Sequence, residues 1–306
     1  PLFKIAAGPR ADDYHWTEVL MREAGHFMDG LGLHYYTRLR DHSIVIENPD
    51  KNRIYLSKPN PNRGQAVDFD ESEWFGIMKA ACFTEELIEK HSAIMDKYDP
   101  GKKVALVIDE WGTWFDVEPG TNPSFLYQQN TMRDAVSAAI SLNIFNNHCD
   151  RVRMANLAQT VNVLQAVILT RGEQMILTPT YHVFDLFKVH QDAVLQPVEV
   201  ISAKYAFGEE AVDQISVSAS IDEHGKLHVT LCNTDPKRPA EVECDTGGYS
   251  AGRISGKILT GTSMNSHNTF DHPDRVKPAA FDRARLTGSG FASDIPPMSV
   301  VALALE

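Results

Sequence analysis

A chain of 306 residues, 43% of them hydrophobic, carries enough apolar side chain for one large core or two smaller ones, which excludes global disorder. Its formal net charge of −12 argues against nucleic acid or an anionic membrane as a partner, because both favour basic surfaces, and leaves small neutral substrates as the better fit. No apolar run is long enough to span a bilayer, so no membrane partner is expected.

The sequence opens Pro1-Leu2 and passes directly into Phe3-Lys4-Ile5-Ala6-Ala7-Gly8-Pro9, which reads as a buried strand over 2–7 and its turn. No initiator Met, leader-like segment or capping element precedes it. The chain is therefore expected to begin inside a fold, with any localisation signal outside it; a cytoplasmic location is the default expectation. A helix over 17–24 follows, then a second strand over 27–33 that continues into His34-Tyr35-Tyr36. Residues 37–72 are polar and hold Asn48-Pro49, Pro59, Asn60-Pro61 and Gly64. Loops of that length are often functional, and this one is expected to shape a subsite or a subunit contact. Trp74, Ile77, Met78, Ala81, Leu87, Ile88, Ile94, Met95 and Tyr98 recur near helical spacing and predict a long helix over 73–98. Asp70 and Glu73 stand at capping-box spacing, and Asp99-Pro100-Gly101 is the stop.

The third strand, over 103–108, contains Val104-Ala105-Leu106-Val107-Ile108, an unbroken apolar run that reads as a parallel strand buried on both faces. It ends in Asp109-Glu110-Trp111-Gly112-Thr113-Trp114. A helix over 126–145, a short strand over 152–156 and a helix over 181–190 complete the alternation, which implies parallel strands joined by crossover helices. After Gln196-Pro197 the pattern changes. Ile215–Ile221 and Leu227–Asn233 alternate apolar and polar residues, 300–305 is a credible last strand, and the whole reads as a β-sandwich of about 110 residues. Only four β/α units are visible, whereas a closed (β/α)8 barrel needs eight. The expected fold is thus α/β plus all-β: residues 1–193 as the second half of a TIM barrel and 194–306 as the sandwich. The first four strands must lie on a preceding segment or a separate chain.

The chemistry concentrates at Asp109–Trp114. In a parallel barrel the reactive groups sit at the C-terminal strand ends, and a carboxylate followed by flat rings suits a sugar. Glu110 can attack an anomeric carbon; the plain alternative is an acid that caps the next helix. Alternation along a strand places Asp109 on the opposite side, as a structural group pairing with a helix or loop. A phenol at Tyr35 or Tyr36 can hold a carboxylate ionised, though rim packing is the commoner role of such a ring. Of Trp111 and Trp114, one is expected to meet sugar and the other the core, while Trp16 and Trp74 read as packing residues. His34 is expected to be a hydrogen-bonded rim residue. His182 and His190 have no acid or Cys at ligand spacing, and the scattered Cys82, Cys149, Cys232 and Cys244 form no CxxC pair, so no metal is expected. Cys82 and Cys149 read as free thiols, while Cys232 and Cys244 fall in strand-like stretches and could approach each other. Arg151 and Arg153 read as ion-pairing or loop-binding residues, since no glycine-rich phosphate loop accompanies them.

Three stretches together carry a family resemblance. Leu33-His34-Tyr35-Tyr36, Ile108-Asp109-Glu110-Trp111-Gly112-Thr113-Trp114 and Ala155-Asn156-Leu157-Ala158-Gln159-Thr160-Val161-Asn162-Val163-Leu164 resemble, in order and spacing, the motifs at barrel strands six, seven and eight of the retaining α-L-arabinofuranosidases of glycoside hydrolase family 51. The trailing sandwich, jelly-roll-like in that family, fits as well. The resemblance implies that Glu110 is the nucleophile and that Tyr36 hydrogen-bonds near it, with Tyr35 as the alternative. Trp114 would wall the sugar site, Gln159 would contact the furanose and His34 would support the site. The family's acid/base Glu follows an Asn, and this sequence has no Asn-Glu pair; that residue, like the family's N-terminal sugar-binding acids and asparagine, would belong to the absent half-barrel. The implied activity is release of terminal α-L-arabinofuranosyl residues from arabinan- or arabinoxylan-type saccharides, without cofactor, in a homo-oligomer. Two other readings stand beside it: a non-catalytic carbohydrate-binding or structural subunit, and the same chemistry on xylosides or β-glucans.

Overall fold

The continuous apolar run before Asp109 does form an interior strand. The computed structural model describes residues 2–39, the backbone of 44–47 and 53–56, and residues 63–306. The first part of the chain runs β1 (Ile5–Ala6), α1 (Tyr14–Ala24), β2 (Gly30–Thr37), a hairpin of β3 (Ile44–Glu47) and β4 (Arg53–Leu56), α2 (Glu71–Tyr98), β5 (Ala105–Thr113), α3 (Met132–Asn147) and β6 (Val152–Leu157). β1, β2, β5 and β6 lie side by side in chain order, and every pairing is parallel. Parallel neighbours require a crossover, and α1, α2 and α3 supply them. The hairpin β7 (Ile168–Arg171) and β8 (Gln174–Leu177) and the helix α4 (Pro179–Phe187) follow.

Local chemistry explains where the helices begin. Asp13 caps α1 by accepting the Trp16 amide, which starts that helix earlier than its apolar spacing suggests. Asp70 caps α2 through the amides of Ser72 and Glu73, while the Glu73 carboxylate turns to Arg133 instead of closing a box. α3 starts at Met132, later than predicted, because Thr131 and Asp134 form a reciprocal capping box and Leu126 adopts a left-handed conformation. At the other end of the sheet, the buried Arg151 guanidinium ties the end of α2 to the start of β5. It reaches Asp96, Asp99 Oδ2 at 3.0 Å and the Val104 carbonyl at 2.9 Å, the pairing role expected of it. Arg153 reaches the Lys102 carbonyl at 2.8 Å.

The rest of the chain is antiparallel, as predicted, and forms a two-sheet sandwich. One sheet is built from β9 (Val194–Gln196), β12 (Ile215–Ile221), β13 (Leu227–Asn233), β15 (Ile254–Leu259), β16 (Ala279–Phe281) and β19 (Ser299–Leu305). Its strand order is β16-β15-β19-β13-β12-β9. β10 (Lys204–Phe207) and β11 (Glu210–Asp213) form a separate hairpin, and β14 (Ala240–Asp245), β18 (Gly290–Ile295) and β17 (Ala284–Leu286) make the facing sheet. Val217, Val229, Leu231, Phe281, Phe291, Ile295 and Leu303 fill the space between the sheets.

β13 is buried along its whole length because its second face meets α3. Asn143 Nδ2 donates to Ser216 Oγ at 3.1 Å, and Asn143 Oδ1 accepts from Ser218 and Thr230, both at 2.8 Å. Asn147 reaches the Val217 carbonyl at 3.0 Å. Trp74 Nε1 donates to the Thr234 carbonyl at 2.8 Å, and one apolar cluster runs from Leu31, Leu106 and Ile108 through α3 to Cys232, Leu259 and Val300. The sandwich is thereby fixed against the helices that flank the parallel sheet. All four cysteines are free thiols, Cys232 and Cys244 included. Trp74 is fully buried, whereas Trp16 is half exposed and donates to the Ala7 carbonyl, so only Trp74 is a core residue.

His190, between α4 and β9, is held by Ser220 Oγ at 2.7 Å and Thr230 Oγ1 at 2.9 Å. Burial, and then the nearby His228, push its imidazole down to about 4. An unfolded chain protonates histidine near 6.5, so the folded state binds fewer protons between those values. This histidine's contribution is therefore complete above about pH 6.5 and is lost as pH falls toward 4, by up to about 3 kcal/mol. Denaturant titrations of the full-length protein at pH 7 and pH 4.5 should show a smaller pH-induced loss in His190→Gln than in the parent. Equal losses would mean that His190 is not the group responsible.

Candidate active site

Glu110 reaches the end of β5 on a strand that does not keep a regular register. Gly32 pairs with Val107, but His34 pairs with Glu110; on the other side Ile108 pairs with Ala155, and Trp111 with Leu157. In both pairings β5 carries one residue more than its neighbour, a bulge covering Asp109 and Glu110. A bulge breaks the in–out alternation and re-aims side chains. Asp109, expected on the opposite side from Glu110, instead shares a partner with it. His34 Nε2 lies 3.2 Å from Asp109 Oδ1, and His34 Nδ1 lies 3.6 Å from Glu110 Oε2. The approach of Asp109 depends on a missing side chain: a Cβ on Gly32 would sit 2.7 Å from Asp109 Oδ2.

Tyr36 donates to Glu110 Oε2 at 3.0 Å. Burial first, and then the bond to Glu110, raise its phenol well above the usual tyrosine value, so it remains a neutral donor to the carboxylate. The neighbouring Tyr35 faces the other way and donates to the Ala80 carbonyl of α2 at 2.7 Å. Of the two tyrosines, then, Tyr36 is the one beside Glu110. Trp114 meets the Tyr36 ring edge-on, with centroids 5.1 Å apart. Trp111 is buried against Phe145 and Phe184. Of the two tryptophans, Trp111 is the one in the core, and Trp114 lies at the rim. The Glu110 and His34 side chains are 48% and 40% exposed, so the carboxylate is open to a ligand.

Sequence reasoning missed Arg38 and Arg63. Their guanidinium carbons lie 4.1 and 4.7 Å from the Trp114 ring centroid. Burial, followed by repulsion from Arg10 and Arg63, pushes Arg38 down to about 10. Arg63 falls within the 37–72 segment that was singled out, but residues 40–43, 48–52 and 57–62 of that segment lie outside the described residues, as do the side chains of the hairpin strands. Gln159 follows β6, and no hydrogen bond among the described residues ties its side chain to the other four candidates. It belongs to the same rim through its backbone: Ala158 N–H donates to the Trp111 carbonyl at 2.9 Å, and the Ala158 carbonyl packs on Gly112, whose φ of +146° suits only glycine.

Below the rim, a buried polar network fixes the end of β5. Thr113 Oγ1 donates to Asp134 Oδ1, and Gln165 Oε1 accepts the Thr113 amide at 2.8 Å. Gln165 Nε2 donates to the Asp134 carbonyl at 2.8 Å and to Thr180 Oγ1 at 3.2 Å. Burial raises the Asp134 carboxyl, opposed by Arg133, Thr113 and Thr131. Arg133 is itself fully buried between the rings of Phe69 and Phe115, and burial lowers it to about 10. The sequence analysis missed this network; the Thr131–Asp134 capping-box spacing is the signal that could have pointed to it. Among the described residues, Glu85, Glu89 and His148 place three metal-type ligand atoms within 4.8 Å of one another, on α2 and at the end of α3, outside this site. His182 and His190 are not among them.

Residues 109–299 match the family model of the α-L-arabinofuranosidase C-terminal domain. A Bacteroides ovatus protein described as an intracellular exo-α-L-arabinofuranosidase is 41% identical over 306 residues, covering 100% of this chain and 56% of that protein. An intracellular exo-α-(1→5)-L-arabinofuranosidase of Halalkalibacterium halodurans is 23% identical over 294 residues, 90% of this chain and 52% of the relative. The crystal structure of the GH51 arabinofuranosidase from Xanthomonas axonopodis pv. citri superposes with a TM-score of 0.92 at 45% identity, over 100% of this chain and 58% of that one. The chain spans about half the length of the curated relatives it matches.

Thr113→Val tests the network. It leaves Asp134 Oδ1 buried without its hydroxyl donor and should lower stability by about 1–3 kcal/mol, read as a lower denaturation midpoint with an unchanged slope. A midpoint within error of the parent would remove the network from the account of how β5 ends.

Proposed function

The chain belongs to the α-L-arabinofuranosidases of glycoside hydrolase family 51, as a C-terminal portion, and we propose that it supplies the nucleophile half of a retaining enzyme. The observation that carries the reading is Glu110. It is an exposed carboxylate at the C-terminal end of an interior parallel strand, held by the Tyr36 hydroxyl, with His34 beside it and Trp114 against the Tyr36 ring. A nucleophile must be ionised, and a neutral phenol donor favours that state. Glu110 would attack the anomeric carbon and form a glycosyl-enzyme while an acid elsewhere protonates the leaving oxygen; water activated by that same group would then release the sugar. Tyr36 would orient Glu110, His34 would support it, Trp114 would wall the site and Gln159 would contact the furanose.

The four-stranded parallel sheet is read as half of a (β/α)8 barrel covering residues 1–193, with 194–306 as a jelly-roll-like sandwich. β1 and β6 are the outer strands of that sheet, which is where the other half would pair. The acid/base Glu would come from that N-terminal half, on a preceding segment or a separate chain. The substrates would be terminal α-L-arabinofuranosyl groups of arabinan- or arabinoxylan-type saccharides. A cytoplasmic site of action is inferred from the relatives described as intracellular, and assembly as a homo-oligomer is kept from the family resemblance.

In the full-length protein, Glu110→Gln should reduce hydrolysis of an aryl α-L-arabinofuranoside on the order of 10^4-fold. Its denaturation midpoint should remain near the parent's, since the side chain is half exposed. Azide added to Glu110→Gly should restore turnover and give a glycosyl azide of inverted configuration. Hydrolysis by Glu110→Gln within tenfold of the parent would end the nucleophile assignment.

A further inference from the structure

Among the described residues, the Trp114 side of the candidate site's rim gathers positive charge. The chain holds 41 Asp and Glu against 29 Lys and Arg, yet among the described residues no carboxylate lies within ion-pairing distance of Arg10, Arg38 or Arg63. Arg38 and Arg63 converge on one indole, at 4.1 and 4.7 Å from its centre, and Arg38 also stands 5.7 Å from the Tyr36 ring. Arg10 comes from the loop after β1, beside His34 in the backbone bridge at the end of β2, and is close enough to Arg38 to repel it. Arg38 Nε and Trp114 Nε1 have no acceptor among the described residues. Among the described residues the cluster therefore lacks acceptors and negative charge, not donors. Holding three like charges together is unfavourable until an anion arrives, and guanidinium groups suit a carboxylate in particular, through paired N–H···O bonds.

We propose that Arg10, Arg38 and Arg63 form a carboxylate-binding subsite, and that it takes a uronic acid carried on the saccharide next to the cleaved arabinofuranose. The proposal rests on the arabinofuranosidase reading and narrows its substrate class. The placement follows from the order of contacts. Glu110 meets Tyr36, Tyr36 meets Trp114, and Trp114 meets the arginines. The cations thus stand one side chain beyond the group that holds the candidate nucleophile, so a ligand that reaches them from Glu110 extends past the sugar being cleaved. The competing occupant is a carboxylate of the protein itself.

The test compares two probes on the full-length protein: a xylo-oligosaccharide bearing one α-L-arabinofuranosyl branch, and the same compound with a glucuronosyl branch on the adjacent xylose. The expected ratio of kcat/KM, acidic over neutral, is above one. It should fall about tenfold in Arg38→Gln and in Arg63→Gln, and it should fall in the parent at about 0.5 M sodium chloride, where exposed charges are screened. A parent ratio of one or less overturns the proposal. So does an equal loss on both probes in the variants, which would assign the arginines to a carboxylate of the protein. Cleavage of neither probe by the parent would be the failure of the arabinofuranosidase reading. Calorimetric binding of the two saccharides then decides the subsite alone: tighter binding of the acidic one, lost in the variants, supports it, and equal affinity ends it.

Discussion

The hydrogen bond from Thr113 to Asp134 joins the last residue of β5, the strand that carries Glu110, to the first turn of α3. Asp134 also closes the capping box that starts α3, so one buried carboxylate sets both where the strand stops and where the helix begins. Gln165 fills the other side of the strand end by accepting the Thr113 amide. A buried carboxylate is costly unless its oxygens are satisfied, and here three donors from Thr113 and Thr131 occupy them. Such a network holds only when complete, which makes the strand end rigid beneath a rim that must stay open.

The bulge at Asp109 and Glu110 is the second constraint. A regular strand would send one of these acids toward each face. With one extra residue in β5, both carboxylates approach His34, one facing each ring nitrogen. Gly32 has no side chain in the path of Asp109, and Gly112 lets the chain turn against the Ala158 carbonyl. The site is thus shaped by backbone departures from regularity in a parallel sheet.

The sandwich takes part in this support. Asn143 bonds both β12 and β13, and the apolar cluster beneath β5 continues into Cys232, Leu259 and Val300 of the sandwich. The helix that carries Asp134 is therefore clamped from both sides, by the strand it caps and by the sheet it packs on. Burial of β13 on both faces follows from this docking, which its alternating sequence alone would not suggest.

The order of parallel strands, the long helix ended by Asp99, the antiparallel second part and the candidate carboxylate at the end of the third long strand were all legible in the sequence. They rest on periodicity and on local chemistry, which neighbouring residues impose on one another. From the residues alone, the placements of Trp111 and Trp114 and of Tyr35 and Tyr36 were legible only as alternatives, between which the resemblance chose, because a strand's register against its neighbours decides which face each ring takes. Asp109 was placed on the wrong side for the same reason: a bulge is a property of two paired strands, not of one. The arginines over Trp114 had no signature at all. Arg10, Arg38, Arg63 and Trp114 come from three loops and a strand end, and only the tertiary structure brings charges so distant in sequence into reach of one another.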